Sequence, residues 1–164
     1  MSRSPTYRVH VGAVGWEHEH WRGSFYPEDL PPEWRLTYYN QWFDTVLLPR
    51  SRWEQAAPEE MRRWSEETLE RFRFVLDLGE KPATDADRQR VAALEPKLGM
   101  WYPCAGPADR GATLVWIEPG EKLKALGNRV RELAAREPEV YLIGRRPDAA
   151  FLNQVVTLLE LLQL

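Results

Sequence analysis

A chain of 164 residues with 43% hydrophobic and 29% charged residues can build one domain with a real core, and it is too apolar to be disordered. Its net charge of −3, with both signs interspersed, excludes the strongly basic face that nonspecific nucleic-acid binding requires, so no nucleic-acid partner is expected. A single cysteine, Cys104, admits no intrachain disulfide, and "MSRSPTYRVHVG" lacks a signal-peptide core. No apolar run is long enough to cross a bilayer, so the expectation is a cytoplasmic protein with no membrane partner.

The first element, Tyr7–Gly15, alternates, is β-branched and ends in glycine, which reads as a buried strand. "PPEWRLTYYNQWF" opens with proline and places Leu36, Tyr39 and Phe43 on one helical face. Asp44–Pro49 is a second short buried strand. Pro58, followed by Glu59 and Glu60, opens another helix, because the helix dipole favours acids in the first turn. Arg71–Gly79 alternates and is the third strand.

"TDADRQRVAALEPKLG" reads as a capped helix ending near Pro96. Met100–Gly106 is a short fourth strand, "PADRG" a turn, and Ala112–Glu118 a fifth strand. Between Gly120 and Arg136, Leu123, Leu126, Val130 and Leu133 mark an amphipathic helix. Glu139–Gly144 is the sixth strand. From Asp148, a capping residue, a leucine-rich helix runs to Leu164. It is apolar around most of its girth and needs a groove or a partner chain to cover it. Strands alternating with helices indicate an α/β fold with a parallel sheet, and the absence of linkers or repeats indicates a single domain over 1–164.

Gly15-Trp16, then Trp21, then Phe25-Tyr26-Pro27, and finally Phe43 and Val46 follow one another in an order and spacing that resembles the YecE-like family, the domain of unknown function numbered 72. "FRFVLDL", "KLGMWYPCAGP" and "PEVYLIGRRPDAAFLNQVVTLLELL" continue the likeness. The resemblance implies a (β/α)8 barrel. Family members are typically longer, and the shortfall falls between Gly106 and Ala112. A shortened TIM-barrel-like fold of about six βα units follows, either closed with strain or open near the deletion.

The departures concern polar groups. Where the family carries Val-Glu-x-Asn-x-x-Phe-Tyr after the second strand, this chain has Val46-Leu47-Leu48-Pro49-Arg50-Ser51-Arg52-Trp53. Asp77 stands at the family's lysine position, the Thr-His pair is absent from "GEKPATDADR", and "GRRPD" replaces an asparagine-rich turn. Chemistry in barrels sits at the C-terminal strand ends, so the resemblance implies a degenerate site there.

Several residues remain candidates. His18 and His20 are a metal pair or a polar loop; one His-x-His is no full ligand set, and neither a metal nor another cofactor is expected. Trp16, Trp21, Tyr26 and Trp53, with Phe25, line a ligand pocket, or they are packing and a plug for the barrel mouth. Arg50, Arg52, Arg145 and Arg146 follow the second and last strands, where they could converge on a small anionic ligand or form solvated charged turns. Asp77 and Glu118 are the one pair of strand-end acids suited to acid–base work. Cys104 reads as a buried structural thiol. The expected function is non-catalytic binding or interaction; the alternative is a hydrolase or isomerase using the arginines on an anionic small molecule. A homodimer is expected, through Trp101, Tyr102, Trp116 or the leucines from Leu158 to Leu164.

Overall fold

The computed structural model describes residues 9–103 and 111–164. The elements are β1 (Val9–Val14), a 3-10 turn at Glu19–Trp21, a second at Pro32–Trp34 leading into α1 (Arg35–Trp42), β2 (Thr45–Leu48), α2 (Arg50–Gln55), α3 (Pro58–Glu67) and β3 (Arg73–Asp77). They continue with α4 (Asp85–Arg90), a 3-10 segment (Ala92–Lys97), β4 (Leu98–Tyr102), β5 (Ala112–Ile117), α5 (Leu123–Arg136), β6 (Glu139–Gly144) and α6 (Ala149–Leu162).

All six strands lie parallel in one sheet of order β4-β3-β2-β1-β6-β5. The first and last strands are therefore neighbours at its centre, as in a barrel, while β4 and β5 are its two ends. The sheet curls far enough that the Trp116 indole on β5 reaches the Tyr102 hydroxyl on β4 at 3.1 Å. Helices cover the outside. This is a shortened barrel, as the sequence indicated, and of the two forms the sequence allowed it takes the open one.

Because both faces of the strands are covered, the strands are apolar in runs rather than in alternation. Leu47, Val75, Met100, Tyr141 and Ile143 fill the inside of the curl. Val46, Leu48, Phe74, Leu76, Val140 and Leu142 face outward into the larger core beneath the helices.

The β1–β2 join departs from a plain ladder. The Tyr39 hydroxyl on α1 accepts the Ala13 N–H at 2.8 Å and donates to the Thr45 carbonyl at 2.7 Å. The Asp44 carboxylate takes the Val11 N–H at 2.9 Å. Gly12 makes this possible, since a Cβ there would stand 1.8 Å from the Thr45 carbonyl oxygen.

The helix ends follow from local chemistry. Thr84 and Asp87 form a capping box on α4. Asp148 accepts the Phe151 N–H at 3.0 Å and starts α6 as expected. The Lys97 ammonium reaches the Ser65 and Thr68 carbonyls at the end of α3.

Some expectations need correction. The charged stretch after Pro49 is a helix, α2, not a turn; Pro49 precedes its first residue and Arg50 pairs with Glu54 one turn on. The helix before Pro96 ends at Arg90 and gives way to the 3-10 segment, since proline cannot continue α-helical bonding. β4 starts at Leu98, two residues before the expected strand. Its expected end at Cys104–Gly106, the Cys104 thiol, most of the "PADRG" turn and Tyr7–Arg8 of the first strand lie outside the described residues. The terminal helix finds its groove within the chain: Leu152, Val155 and Leu159 are buried, and Leu158 and Leu162 lie against the site of Gly127 on α5. Leu161 alone among its leucines is largely exposed, at 78%. No helix among the described residues is long and apolar enough to cross a membrane.

Candidate functional site

The C-terminal strand ends carry most of the candidate residues. Asp77 ends β3, and its carboxylate accepts the Gly79 N–H at 2.8 Å. Glu118 follows β5 and lies 3.5 Å from Arg145, whose guanidinium stacks over Trp116 at 4.8 Å. Asp77 and Glu118 thus engage different partners and make no contact with each other. The inner mouth between them is occupied by Val14, Tyr102 and Trp116, all packed on the inner cluster.

The arginines are drawn apart. Arg50 donates to the Leu78 carbonyl at 2.7 Å, pairs with Glu54 at 2.8 Å and Asp87 at 3.5 Å, and covers the Trp53 ring. Arg52 pairs with Glu17 at 2.6 Å and Glu60 at 2.7 Å, and covers Trp64. Arg145 belongs to Glu118. Arg146 is exposed. Hydrogen bonding to Glu54 raises the Arg50 guanidinium further above its already high range. Burial depresses Arg52, but its bonds to Glu17 and Glu60 outweigh that and raise it.

The aromatic loop after β1 is packing on the outside of the sheet, not a plug inside the curl. Trp16 meets Trp64 edge-on at 5.1 Å, and its carbonyl accepts the Tyr26 hydroxyl at 2.5 Å. Trp21 is stacked on Tyr39 and donates to the Pro147 carbonyl at 2.9 Å, which ties the β1 loop to the β6 loop. Trp53 is fully buried, donates to the Asp77 carbonyl at 2.9 Å and meets Trp101 edge-on. The reason is geometric: Gly15, directly after β1, has φ +72°, which turns the chain outward toward α1 and α3.

His18 and His20 come together, with ring centroids 5.6 Å apart. Each turns Nε2 to a backbone carbonyl, His18 to Val14 at 2.7 Å and His20 to Pro147 at 3.0 Å. Burial lowers the His18 pKa. Among the described residues no group of three or more His, Cys, Asp or Glu side chains is placed to hold a metal.

Two features were not singled out in the sequence. At the opposite end of the curl, buried His10 contacts Asp44 through Nδ1 at 3.1 Å and Glu139 through Nε2 at 3.1 Å, with its ring stacked on Tyr141. Burial alone would lower His10, but the bonds and charges of Asp44 and Glu139 outweigh it and push the imidazole up to about 9. Glu139 feels the same pair: burial would raise it, and the bond to His10 holds it below its usual range. The one signal was a histidine on the inward side of a buried strand; its partners are too distant in sequence to be read from pattern. The second feature is a cleft of about 600 Å³ between α1, the start of α6 and the loops after β1 and β6. Tyr38 and Trp42, spaced i,i+4 on α1, mark one wall.

Comparison with known proteins agrees with this architecture. The family described as "Protein of unknown function DUF72" matches residues 10–95. The crystal structure of a DUF72 family protein from Thermotoga maritima superposes with a TM-score of 0.61 at 16% identity, covering 93% of this chain and 99% of that one. One from Enterococcus faecalis gives 0.62 at 13% identity, covering 95% and 96%. Identities this low establish a shared fold. No curated protein matches the chain.

Proposed function

Because this chain belongs to the DUF72 family of proteins of unknown function, we propose that it is a non-catalytic, cytoplasmic member acting by binding or interaction, with the strand-end site of its relatives lost. The observation that carries the reading is the occupancy of the strand-end face. Arg50, Arg52 and Arg145 each have carboxylate partners, Asp77 holds a backbone N–H, and Tyr102 and Trp116 stand across the mouth. Acid–base and electrostatic catalysis need groups aimed at a reacting atom, not at one another. Leu47, Pro49 and Asp77 at the positions of a glutamate, an asparagine and a lysine support the same reading.

The test compares this chain with the Thermotoga protein. Small molecules captured by that relative from a metabolite mixture are titrated onto both proteins and mapped by NMR. The expected result is binding to the relative alone. Comparable binding here, with shifts at Leu47, Asp77 and Tyr102, overturns the proposal.

A further inference from the structure

The cleft between α1 and α6 has two unlike walls. On one, Phe25 stands edge-on to Tyr38 (5.3 Å, 75°) and to Trp42 (6.4 Å, 72°), while Tyr38 and Trp42 lie 6.4 Å apart and tilt only 39° from each other. Trp42 is 50% exposed in the midst of this cluster. A cluster of rings beside a concavity is a stronger sign of a ligand than one exposed tryptophan.

The other wall is polar. Asp148 spends one carboxylate oxygen, Oδ1, on the Phe151 N–H, and Oδ2 has no partner among the described residues. The Asn153 amide, the Tyr38 hydroxyl and the Trp42 indole N–H likewise have no hydrogen-bond partner among the described residues, so the residues lining the cleft carry both donors and acceptors free to bond. No lysine or arginine lines it, and the one basic side chain that does, His20, has its Nε2 turned to the Pro147 carbonyl at 3.0 Å. That composition suits neither a phosphate nor a carboxylate.

We infer that this cleft is a binding site for a neutral sugar, with the C–H face of a pyranose ring across Tyr38 and Trp42 and its hydroxyls on Asp148 and Asn153. A pyranose has one apolar face and a hydroxylated rim, which matches a ring-lined wall opposite a mixed polar one. The volume of about 600 Å³ accommodates a ring of that size with solvent to spare. The strand-end mouth takes no part, so this inference and the non-catalytic reading fail separately.

The experiment titrates the whole chain with glucose, galactose, mannose and N-acetylglucosamine at millimolar concentrations, following Trp42 by NMR. Tetramethylammonium and phosphate are the controls, since an aromatic cage would favour the first and an anion site the second. The expected result is saturable binding of at least one sugar, weakened roughly tenfold in Trp42→Ala and in Asn153→Ala. Both side chains are partly exposed, and Tyr38→Phe, which removes only a hydroxyl, serves if Trp42→Ala does not fold. Binding of none of the four sugars overturns the inference. So does sugar binding unchanged in the variants, or saturable binding of tetramethylammonium or phosphate in place of the sugars.

Discussion

Trp116 on β5 donates its indole N–H to the hydroxyl of Tyr102 on β4 at 3.1 Å, with the two rings edge to face at 5.7 Å. Among the described residues, β4 pairs through its backbone only with β3, and β5 only with β6. One side-chain hydrogen bond thus spans this seam, where no ladder does.

Tyr102→Phe keeps the ring contact and removes the hydroxyl. The expected loss is about 1 kcal/mol, the net worth of one hydrogen bond. That corresponds to a Tm lower by about 2–4 °C for a chain of this size. A double-mutant cycle with Trp116→Phe isolates the pair. Additive effects would mean that the bond contributes nothing to stability.

His10 makes stability depend on pH. Its folded pKa, about 9, lies above the unfolded value of about 6.5. The folded state therefore binds the proton more tightly. This contribution, on the order of 3 kcal/mol, is fully present below about pH 6.5 and is lost as pH rises through about 9. Glu139, held below its usual range, acts in the opposite sense and loses its contribution in acid. Urea unfolding of the wild type and of His10→Gln should show a stability gap that narrows from near neutrality to strongly alkaline pH. A gap independent of pH contradicts the ion-pair geometry.

The Tyr39 relay gives a sharper pair of variants. Tyr39→Phe leaves the buried Ala13 N–H and Thr45 carbonyl without the hydroxyl, at an expected cost of about 1–3 kcal/mol. Gly12→Ala should be worse, because backbone rather than a flexible side chain opposes the new Cβ. Chemical denaturation measures both, and a Gly12→Ala protein as stable as the wild type would refute the close approach.

Some of this was legible from pattern alone. β6 falls on Glu139–Gly144 as expected, and α6 starts at the Asp148 cap, because continuous apolar runs and a capping side chain are local signals. α2 was hidden because "RSRWEQ" has no apolar stripe; its stability comes from Trp53 alone entering the core and from arginine pairs. The direction of the Trp16–Tyr26 loop was not readable, since aromatics suit a plug and an outer layer equally. The His10 pair was invisible for another reason: Asp44 and Glu139 reach it only once three strands are side by side.

Phosphate should leave the Tm unchanged. Arg50, Arg52 and Arg145 already have carboxylate partners, so an added anion gains little by displacing them. A rise in Tm abolished by Arg50→Ala with Arg145→Ala would restore the arginine-based alternative.

The two ends of the sheet also bear on assembly. β5 is only partly buried along most of its length, and unpaired strand edges invite pairing with another chain. We expect a twofold homodimer that covers Leu114, Val115 and Trp116, although Trp101 is already buried within the chain. Sedimentation equilibrium should give twice the chain mass at micromolar concentration. A monomer across that range rules the dimer out.

The central place of β1 also sets an order of events during synthesis. β1 leaves the ribosome well before one of its two flanking strands, β6; His10 and Glu139 are 129 positions apart. The half of the sheet from β1 to β4 can assemble as it emerges, but it does so with one edge of its middle strand bare. Until β6 emerges, then, a strand that ends buried at the centre of the sheet stands open to mispairing along one edge.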